Sequence, residues 1–195
     1  GLRNDLGFRV FSSLSYTNIL GRHWIGGISA EGNRRFPGQY RFFEYRVEAS
    51  FIEPRIFGTK NLFNTTVSTR KTRYPPNFNA ETTQLATSLE RRIDTPIAPA
   101  ALKFSYKLER IRQFDVVING TASPEDNQPM LIGSLVPSAT LDTRDSPFTT
   151  TKGQVTNLTL EYANPYFSAQ DPYETKAAGY EKWSGSSKWY FSLKK

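Results

Sequence analysis

Apolar and polar residues alternate along most of the chain with a period of two. In residues 43–51, Phe, Tyr, Val, Ala and Phe alternate with Glu, Arg, Glu and Ser, and residues 102–109 repeat the pattern. A period of two places successive side chains on opposite faces of a β-strand, whereas an amphipathic helix has a period of 3.6. The pattern recurs in residues 6–17, 157–162 and 188–194. The sequence therefore predicts an all-β protein whose strands have one apolar and one polar face.

Segments rich in Gly, Pro, Asn and Asp separate the alternating runs and predict the turns between strands. They delimit about ten strands, many of about ten residues. Strands of soluble proteins usually have ~5–6 residues, whereas strands of membrane barrels need ~9–11. Pro137 interrupts the predicted strand at 130–142 and favours an edge or a bulge there. The predicted turns lie at residues 18–23, 33–40, 53–60, 73–79, 94–100, 119–129, 141–153, 164–173 and 184–187.

Alternation alone does not decide whether the apolar face forms a dry core or contacts lipid. Three features favour an antiparallel, up-and-down transmembrane β-barrel: long strands, a densely charged polar face, and 14% aromatic residues, many near strand ends. The predicted lumen-facing residues are Glu44, Arg46, Glu48, Lys103, Lys107 and Glu109. The predicted lipid-facing residues are Phe43, Tyr45, Val47, Leu102, Phe104 and Tyr106.

A soluble all-β ligand-binding domain is the alternative from a different class. The chain has 195 residues, a net charge of +7 and a mean hydropathy of −0.53. No apolar run approaches the ~18 residues of a transmembrane helix. Low mean hydropathy does not distinguish a soluble domain from a membrane β-barrel, because a membrane β-barrel exposes only every second side chain to lipid.

The composition also limits the chemistry that the chain can perform. It contains no Cys, which excludes disulfides, thiolate metal sites and Cys nucleophiles. A single His, His23, supplies neither a catalytic triad nor a His metal site. Basic and aromatic residues fall on opposite strand faces, so they build no stacking groove for nucleic acid. We therefore expect no enzyme activity, no cofactor, no metal and no nucleic-acid partner; an outer-membrane enzyme with a His-dependent site is a third possibility.

Residues 142–153, with the sequence DTRDSPFTTTKG, place charge and turn-forming residues directly after an apolar segment. This stretch resembles the D-x-R-D-x-P-x-x-P-x-x-G turn of the BamA/TamA-type outer-membrane β-barrels, with Thr150 in place of the second Pro. SLSYTNILGRHW at 13–24 and EASFIEPRIFGTKNLF at 48–63 resemble further strand–turn patterns of that family. The residues that match the turn motif are Asp142, Arg144, Asp145, Pro147 and Gly153.

The resemblance implies that this motif is a structural corner where a strand leaves the membrane. Asp142 and Asp145 are then expected to cap turn N–H groups, with Arg144 pairing with either carboxylate. Pro147 would fix φ, and Gly153 would relieve the entry into the next strand.

The resemblance also implies a function and a location. The chain would be a segment of about ten strands of a larger barrel in the bacterial outer membrane. It would assemble, insert or translocate outer-membrane proteins by strand templating and membrane thinning. Its partners would be nascent outer-membrane proteins, outer-membrane lipids or lipopolysaccharide, and accessory lipoproteins or other membrane subunits. A passive outer-membrane pore or a two-partner secretion transporter is the alternative within the membrane class.

The same resemblance predicts what lies outside the chain and on which side of the membrane each turn lies. The family's Arg-Gly-Phe/Tyr motif is not in these residues, and we expect residues 1–195 to form one incomplete barrel domain without its periplasmic domains and C-terminal strands. The turns around 18–23, 54–59, 94–99, 142–153 and 184–187 would be periplasmic, and the loops between them extracellular.

Overall fold

The computed structural model describes residues 2–3, 7–34, 43–74, 78–96, 98–114, 117–118, 121–122, 129–146, 148–168 and 178–192. Within these residues, short 3-10 helices lie at Ile56–Gly58 and Pro165–Ser168. The strands are β1 (Leu2–Arg3), β2 (Gly7–Ile19), β3 (Trp24–Arg34), β4 (Phe43–Glu53), β5 (Asn61–Tyr74), β6 (Phe78–Asp94), β7 (Pro99–Phe114), β8 (Val117–Ile118), β9 (Thr121–Ala122), β10 (Met130–Asp142), β11 (Gly153–Ala163) and β12 (Tyr180–Tyr190).

Ten of these strands form one antiparallel sheet in the order β1-β2-β3-β4-β5-β6-β7-β10-β11-β12, and β8 and β9 pair separately. Neighbours in the sheet are also neighbours in the chain, apart from the β8–β9 insertion, so the predicted all-β, up-and-down arrangement is confirmed. Apart from β1, the strands of this sheet have 11 to 17 residues, long enough to cross the hydrocarbon core of a bilayer. In the described part of the chain, no helix is long and apolar enough to span a membrane.

The turn predicted at 184–187 is wrong, because β12 runs through these residues without a break. Gly185 lies opposite Leu158 of β11 and Ser186 lies opposite Asn157. Pairing along the whole length of β11 outweighs the weak strand propensity of a Gly/Ser-rich segment. Chain reversals predicted at 18–23, 53–60 and 94–100 are present between β2 and β3, β4 and β5, and β6 and β7, whereas those at 33–40 and 119–129 lie largely outside the described residues.

Pro137 does not mark an edge, because β10 lies between β7 and β11 in the interior of the sheet. Pro137 pairs with Phe104 of β7 without a shift in register. On the other side, the ladder to β11 lacks pairs between Leu135–Tyr162 and Ser138–Thr159. Since proline has no N–H to donate, the sheet accommodates it by this local gap in pairing.

The two faces of the sheet differ in burial. No large side chain among the described residues is fully buried, so they contain no dry interior of large apolar residues. In a curved sheet, side chains crowd together on the concave face and diverge on the convex face. We therefore call the charged face the inner face and the apolar face the outer face. The buried side chains within the described strands all lie on the inner face: Ala80, Thr82, Ser88, Ile132, Ser134 and Ala163.

Candidate functional site

The inner face carries ion pairs that reach over an intervening strand. The Arg70 Nη2 atom of β5 lies 3.7 Å from Glu109 Oε1 of β7, across β6. Lys107 Nζ of β7 lies 2.8 Å from Glu161 Oε1 of β11, across β10. Ser134 of β10 donates to the same Glu161 oxygen at 3.3 Å. These contacts link non-adjacent strands into one polar surface.

The remaining inner-face residues named by the sequence pattern also lie in polar surroundings. Arg46 Nη2 donates to Glu48 at 2.7 Å on the same strand. Glu44 accepts hydrogen bonds from the Asn33 amide at 2.9 Å and from a backbone N–H of β5. Lys103 lies directly opposite Glu90 of β6. The carboxylates are thus distributed among cations and amides, an arrangement typical of a solvated ladder of charges.

The described residues include one histidine and many carboxylates, the side chains that metal sites use. They contain no group of three or more His, Asp or Glu side chains that could hold a metal ion. His23 lies in the turn between β2 and β3 at a φ of 59°, and its backbone N–H donates to the Asn18 side chain at 3.0 Å. Its place in the structure is therefore that of a turn residue.

The outer face presents large apolar side chains to its surroundings. Phe43, Val47, Leu102 and Phe104 are 41 to 52% exposed. Tyr45 and Tyr106 lie on the same face but are half-buried, and each hydroxyl has a partner. The Tyr45 hydroxyl donates to Glu81 at 2.9 Å, and the Tyr106 hydroxyl donates to the Phe167 carbonyl at 2.7 Å.

Aromatic residues cluster near both ends of the strands on this face. At the end that holds the turns after β2, β4 and β10, Trp24 contacts Phe51 edge-to-face with ring centroids 5.6 Å apart. Arg22 lies over the Trp24 ring at 5.1 Å. At the opposite end, Tyr162 and Phe167 contact edge-to-face at 5.9 Å. Two aromatic rows that flank an apolar band are typical of membrane β-barrels.

The turn after β10 is organised by Asp142 and Arg144. Arg144 donates from Nε and Nη2 to the two carboxylate oxygens of Asp142, at 2.9 and 2.7 Å, and its backbone N–H donates to the same side chain at 3.1 Å. These hydrogen bonds raise the pKa of the Arg144 guanidinium above its ordinary value. The paired geometry fixes the direction in which the chain leaves β10.

Asp145 caps the middle of the same turn. Its carboxylate accepts backbone N–H groups from Ser146 and Thr151, both at 3.0 Å, and from Lys152 at 3.3 Å. The Thr151 hydroxyl also donates to it. Hydrogen bonds from the Thr151 hydroxyl and from these backbone groups lower the pKa of Asp145 to about 2, because they stabilise the ionised form.

The turn closes on Gly153, where the chain enters β11. Gly153 has a φ of +111°, and a Cβ there would stand 2.4 Å from the Thr143 carbonyl oxygen. Thr150, which replaces the second Pro of the motif, donates its hydroxyl to the Ser146 carbonyl at 2.7 Å. Pro147 lies outside the described residues, so the expectation for it is unchanged.

A contact that the sequence pattern did not predict covers part of the outer face. The 3-10 helix after β11 packs over Gly133 of β10, and the Asn164 N–H donates to the Gly133 carbonyl at 3.2 Å. The only signal in the sequence is a Gly in an otherwise apolar run, and such a residue also fits a bulge or a weak strand position.

An antiparallel meander with a charged inner face, an exposed apolar outer face and aromatic strand ends defines a segment of an outer-membrane β-barrel. The model of the Omp85 superfamily domain matches residues 18–195, and the chain therefore belongs to the Omp85 superfamily. This match confirms the resemblance to BamA/TamA-type barrels that the sequence motifs predicted.

The comparison with solved structures agrees on the fold. The crystal structure of BamA from Haemophilus ducreyi lacking POTRA domains 1–3 matches with a TM-score of 0.59 and 12% sequence identity. The match covers 84% of this chain and 32% of that chain, so this chain spans about a third of the BamA structure. A search among curated proteins gives no match.

Proposed function

We propose that the chain is part of the barrel of an outer-membrane factor that inserts or translocates other outer-membrane proteins by strand templating and membrane thinning. The observation that carries the proposal is the superfamily match over residues 18–195, on a sheet whose outer face exposes its apolar residues. In this role residues 1–195 act as one barrel domain in the bacterial outer membrane. Its partners are nascent outer-membrane proteins, lipids or lipopolysaccharide, and accessory lipoproteins or other membrane subunits; the mechanism uses no cofactor.

The orientation follows from the chemistry of the two faces. The outer face, with residues such as Phe43 and Phe104, contacts acyl chains, since exposing these side chains to water would be costly. The inner face, with pairs such as Lys107–Glu161, encloses water. The side of the membrane is a separate matter: the resemblance of residues 142–153 to a turn of BamA/TamA-type barrels supports a periplasmic location for the turn after β10 and for the turns after β2, β4 and β6 at the same strand ends, with the opposite ends extracellular.

Thinning of the bilayer is supported by the short apolar band on β6. Its outer face carries charges at Glu81 and Arg91, which leaves Thr83–Leu89 between them. Seven residues span about 23 Å along a strand at ~3.3 Å per residue. With the tilt of about 35–45° that is usual for such barrels, this corresponds to roughly 16–19 Å along the membrane normal, against a usual band of about 25 Å. A bilayer that adapts to a shorter band becomes thinner beside these strands.

Strand templating uses the unpaired N–H and C=O groups of an exposed strand edge, which pair with an incoming strand. The part of the barrel wall that this chain forms would hold such an edge in register with the incoming strand. Its own long ladders from β2 to β12 provide the necessary rigidity.

The decisive experiment compares insertion with conduction. The full protein is reconstituted in liposomes, an unfolded outer-membrane β-barrel protein is added, and its folding is followed by heat-modifiable migration. An insertion factor accelerates folding relative to empty liposomes. A passive pore would instead give steady ion conductance without accelerating folding, and that result would contradict the proposal.

A second experiment tests the orientation of the faces with two adjacent residues. Val67 lies on the outer face and is 50% exposed, whereas Ser68 lies on the inner face. An environment-sensitive fluorophore on Val67→Cys should report an acyl-chain environment, and the same label on Ser68→Cys should report water. Equal responses would show that the outer face does not contact lipid.

A further inference from the structure

The outer face becomes charged at the extracellular end of β4 to β7. Tyr45 lies opposite Lys71, Lys71 lies opposite Glu81, and Glu81 lies opposite Arg112, so these four side chains form one row across four strands. Arg110 lies two residues farther along β7 toward the middle of the sheet, on the same face. We call these five residues, together with Phe114, the rim cluster.

The rim cluster has a defined internal order. Glu81 accepts the Tyr45 hydroxyl at 2.9 Å on one carboxylate oxygen and contacts Arg112 Nη2 at 3.3 Å with the other. The Lys71 ammonium lies 4.9 Å from the centroid of the Phe114 ring. Lys71, Arg110 and Arg112 against Glu81 give the cluster a net charge of +2, and the ion pair with Glu81 holds Arg112 in place.

Arg110 takes no part in the ion pair of the rim cluster. It is exposed, lies opposite Thr83, and forms no hydrogen bond or ion pair with any other described residue. Three inner-face cations, Arg46, Arg70 and Lys107, have carboxylate partners at 2.7 to 3.7 Å. A guanidinium beside the apolar band is costly unless it pairs with an anion or reaches the interface.

The space between the two arginines can hold such an anion. A cavity of about 210 Å³ is lined by Glu81, Thr83, Arg110 and Arg112. This volume corresponds to several water molecules at about 30 Å³ each, enough to admit a phosphate group. Arginine forks match the geometry of phosphate oxygens, and the Thr83 hydroxyl, which lies 3.4 Å from the Thr69 hydroxyl, is a neutral group at the same site.

We propose that this cavity binds a phosphate monoester on the headgroup of an outer-leaflet glycolipid. Arg110 and Arg112 are the direct ligands, while Glu81 and Tyr45 are positioning residues that hold Arg112. A monoester carries nearly two negative charges at neutral pH, one for each guanidinium that lines the cavity, and it offers these guanidiniums one more free oxygen than a phosphodiester does. The proposal rests on the orientation given under the proposed function, in which this end of the outer face lies in the outer leaflet.

The test uses the full protein in detergent and native mass spectrometry to count bound lipid. The probes are a glycolipid with phosphate monoesters, its enzymatically dephosphorylated form, and phosphatidylglycerol. The variants are Arg110→Gln/Arg112→Gln and, as a matched control, Arg70→Gln, which removes an arginine at a similar height on the inner face. Heat-modifiable migration verifies that each variant is folded, and Arg110→Lys with Arg112→Lys provides a charge-preserving pair if the glutamine pair does not fold.

We expect the monoester glycolipid to bind about tenfold more tightly than the other two lipids, and the glutamine pair to abolish this preference, because each guanidinium contributes charge-assisted hydrogen bonds. The lysine pair should weaken the preference, and Arg70→Gln should retain it. Equal binding of the phosphorylated and dephosphorylated lipids, or of phosphatidylglycerol, would overturn the proposal, as would an unchanged preference in the arginine variants.

The Val67 and Ser68 labels separate the failure of this site from the failure of the proposed function. If Val67 reports acyl chains and no preference for the phosphorylated lipid is found, only the phosphate-binding proposal is wrong. If Val67 reports water, the orientation and the lipid site are both refuted.

Discussion

Gly133 of β10 lies directly beneath the backbone of Phe167, since a Cβ built on Gly133 would stand 2.4 Å from the Phe167 carbonyl carbon. The Tyr106 hydroxyl donates to the carbonyl of the same Phe167 at 2.7 Å. The segment after β11 is therefore held against the outer face of β7 and β10 by a close backbone approach and a hydrogen bond. This contact covers a tyrosine that the alternation pattern alone would leave open to lipid.

Replacing Gly133 with Ala should release this contact. A methyl group cannot fit beneath the Phe167 backbone, so we expect a loss of about 1–3 kcal/mol in the free energy of unfolding, as for overpacked sites. Denaturant unfolding in micelles measures the change. Gly185→Ala is the control, because a Cβ there meets its nearest atoms at 3.9 Å. Equal losses in the two variants would show that the Phe167 contact contributes nothing.

Gly153 and Gly21 separate two reasons why a turn requires glycine. Both have a positive φ, +111° and +71°, but a Cβ on Gly21 meets nothing within 4 Å, whereas one on Gly153 clashes with the Thr143 carbonyl. Gly21→Ala should cost about 1 kcal/mol from backbone strain alone, and Gly153→Ala should cost at least about 2 kcal/mol. Midpoints of urea unfolding would compare them. A smaller loss for Gly153→Ala would contradict the close approach in the turn after β10.

The turn after β10 should loosen in acid through Asp145. Its pKa is about 2 in the folded protein, below the ordinary value of 3.8. A lowered carboxyl pKa gives stability that is present above pH 4 and is lost as the pH falls toward 2. The amide signals of Thr151 and Lys152 should therefore shift between pH 4 and pH 2 in NMR spectra. Asp145→Asn should remove this transition; its persistence in that variant would assign the transition to another group.

The ion pair between Lys107 and Glu161 should couple β7 to β11. Their side chains are 29% and 16% exposed, and their charged atoms are 2.8 Å apart. In a double-mutant cycle with Lys107→Gln and Glu161→Gln, we expect a coupling energy of about 1–2 kcal/mol. The more exposed Arg46–Glu48 pair, with Arg46 61% exposed, should give less than about 1 kcal/mol. The reverse order would show that burial does not decide the strength of these pairs.

Much of the architecture could be predicted from local sequence, and the failures have a physical cause. The all-β class, the number of strands and the resemblance to BamA/TamA-type barrels followed from the alternation and the motif at 142–153. The turn predicted at 184–187 failed because pairing with β11 outweighed local propensity. Of the edge or bulge predicted at Pro137, the edge is wrong, because the sheet continues on both sides of β10 and leaves the proline unpaired only toward β11.

The candidate sites could likewise be predicted from the sequence only in part. The period of two was enough to place residues such as Phe104 and Lys107 on opposite faces of the sheet, whereas naming the outer face needed the burial of the side chains. The rim cluster was not predicted, because Tyr45, Lys71, Glu81 and Arg112 come from four strands and meet only in one particular register. Charged residues near strand ends gave no sign of which of them would share a face and a row.

The sequence by itself determined the strands and their two faces, since the direction of successive side chains follows from the local geometry of an extended backbone. Only the tertiary structure decided which residues meet across the sheet. Lys107 and Glu161 are 54 positions apart and belong to strands that are not adjacent, so their contact depends on the registers of β7, β10 and β11 together. Register is a property of the whole sheet, because a shift by one residue in any strand would move every side chain of that strand to the other face.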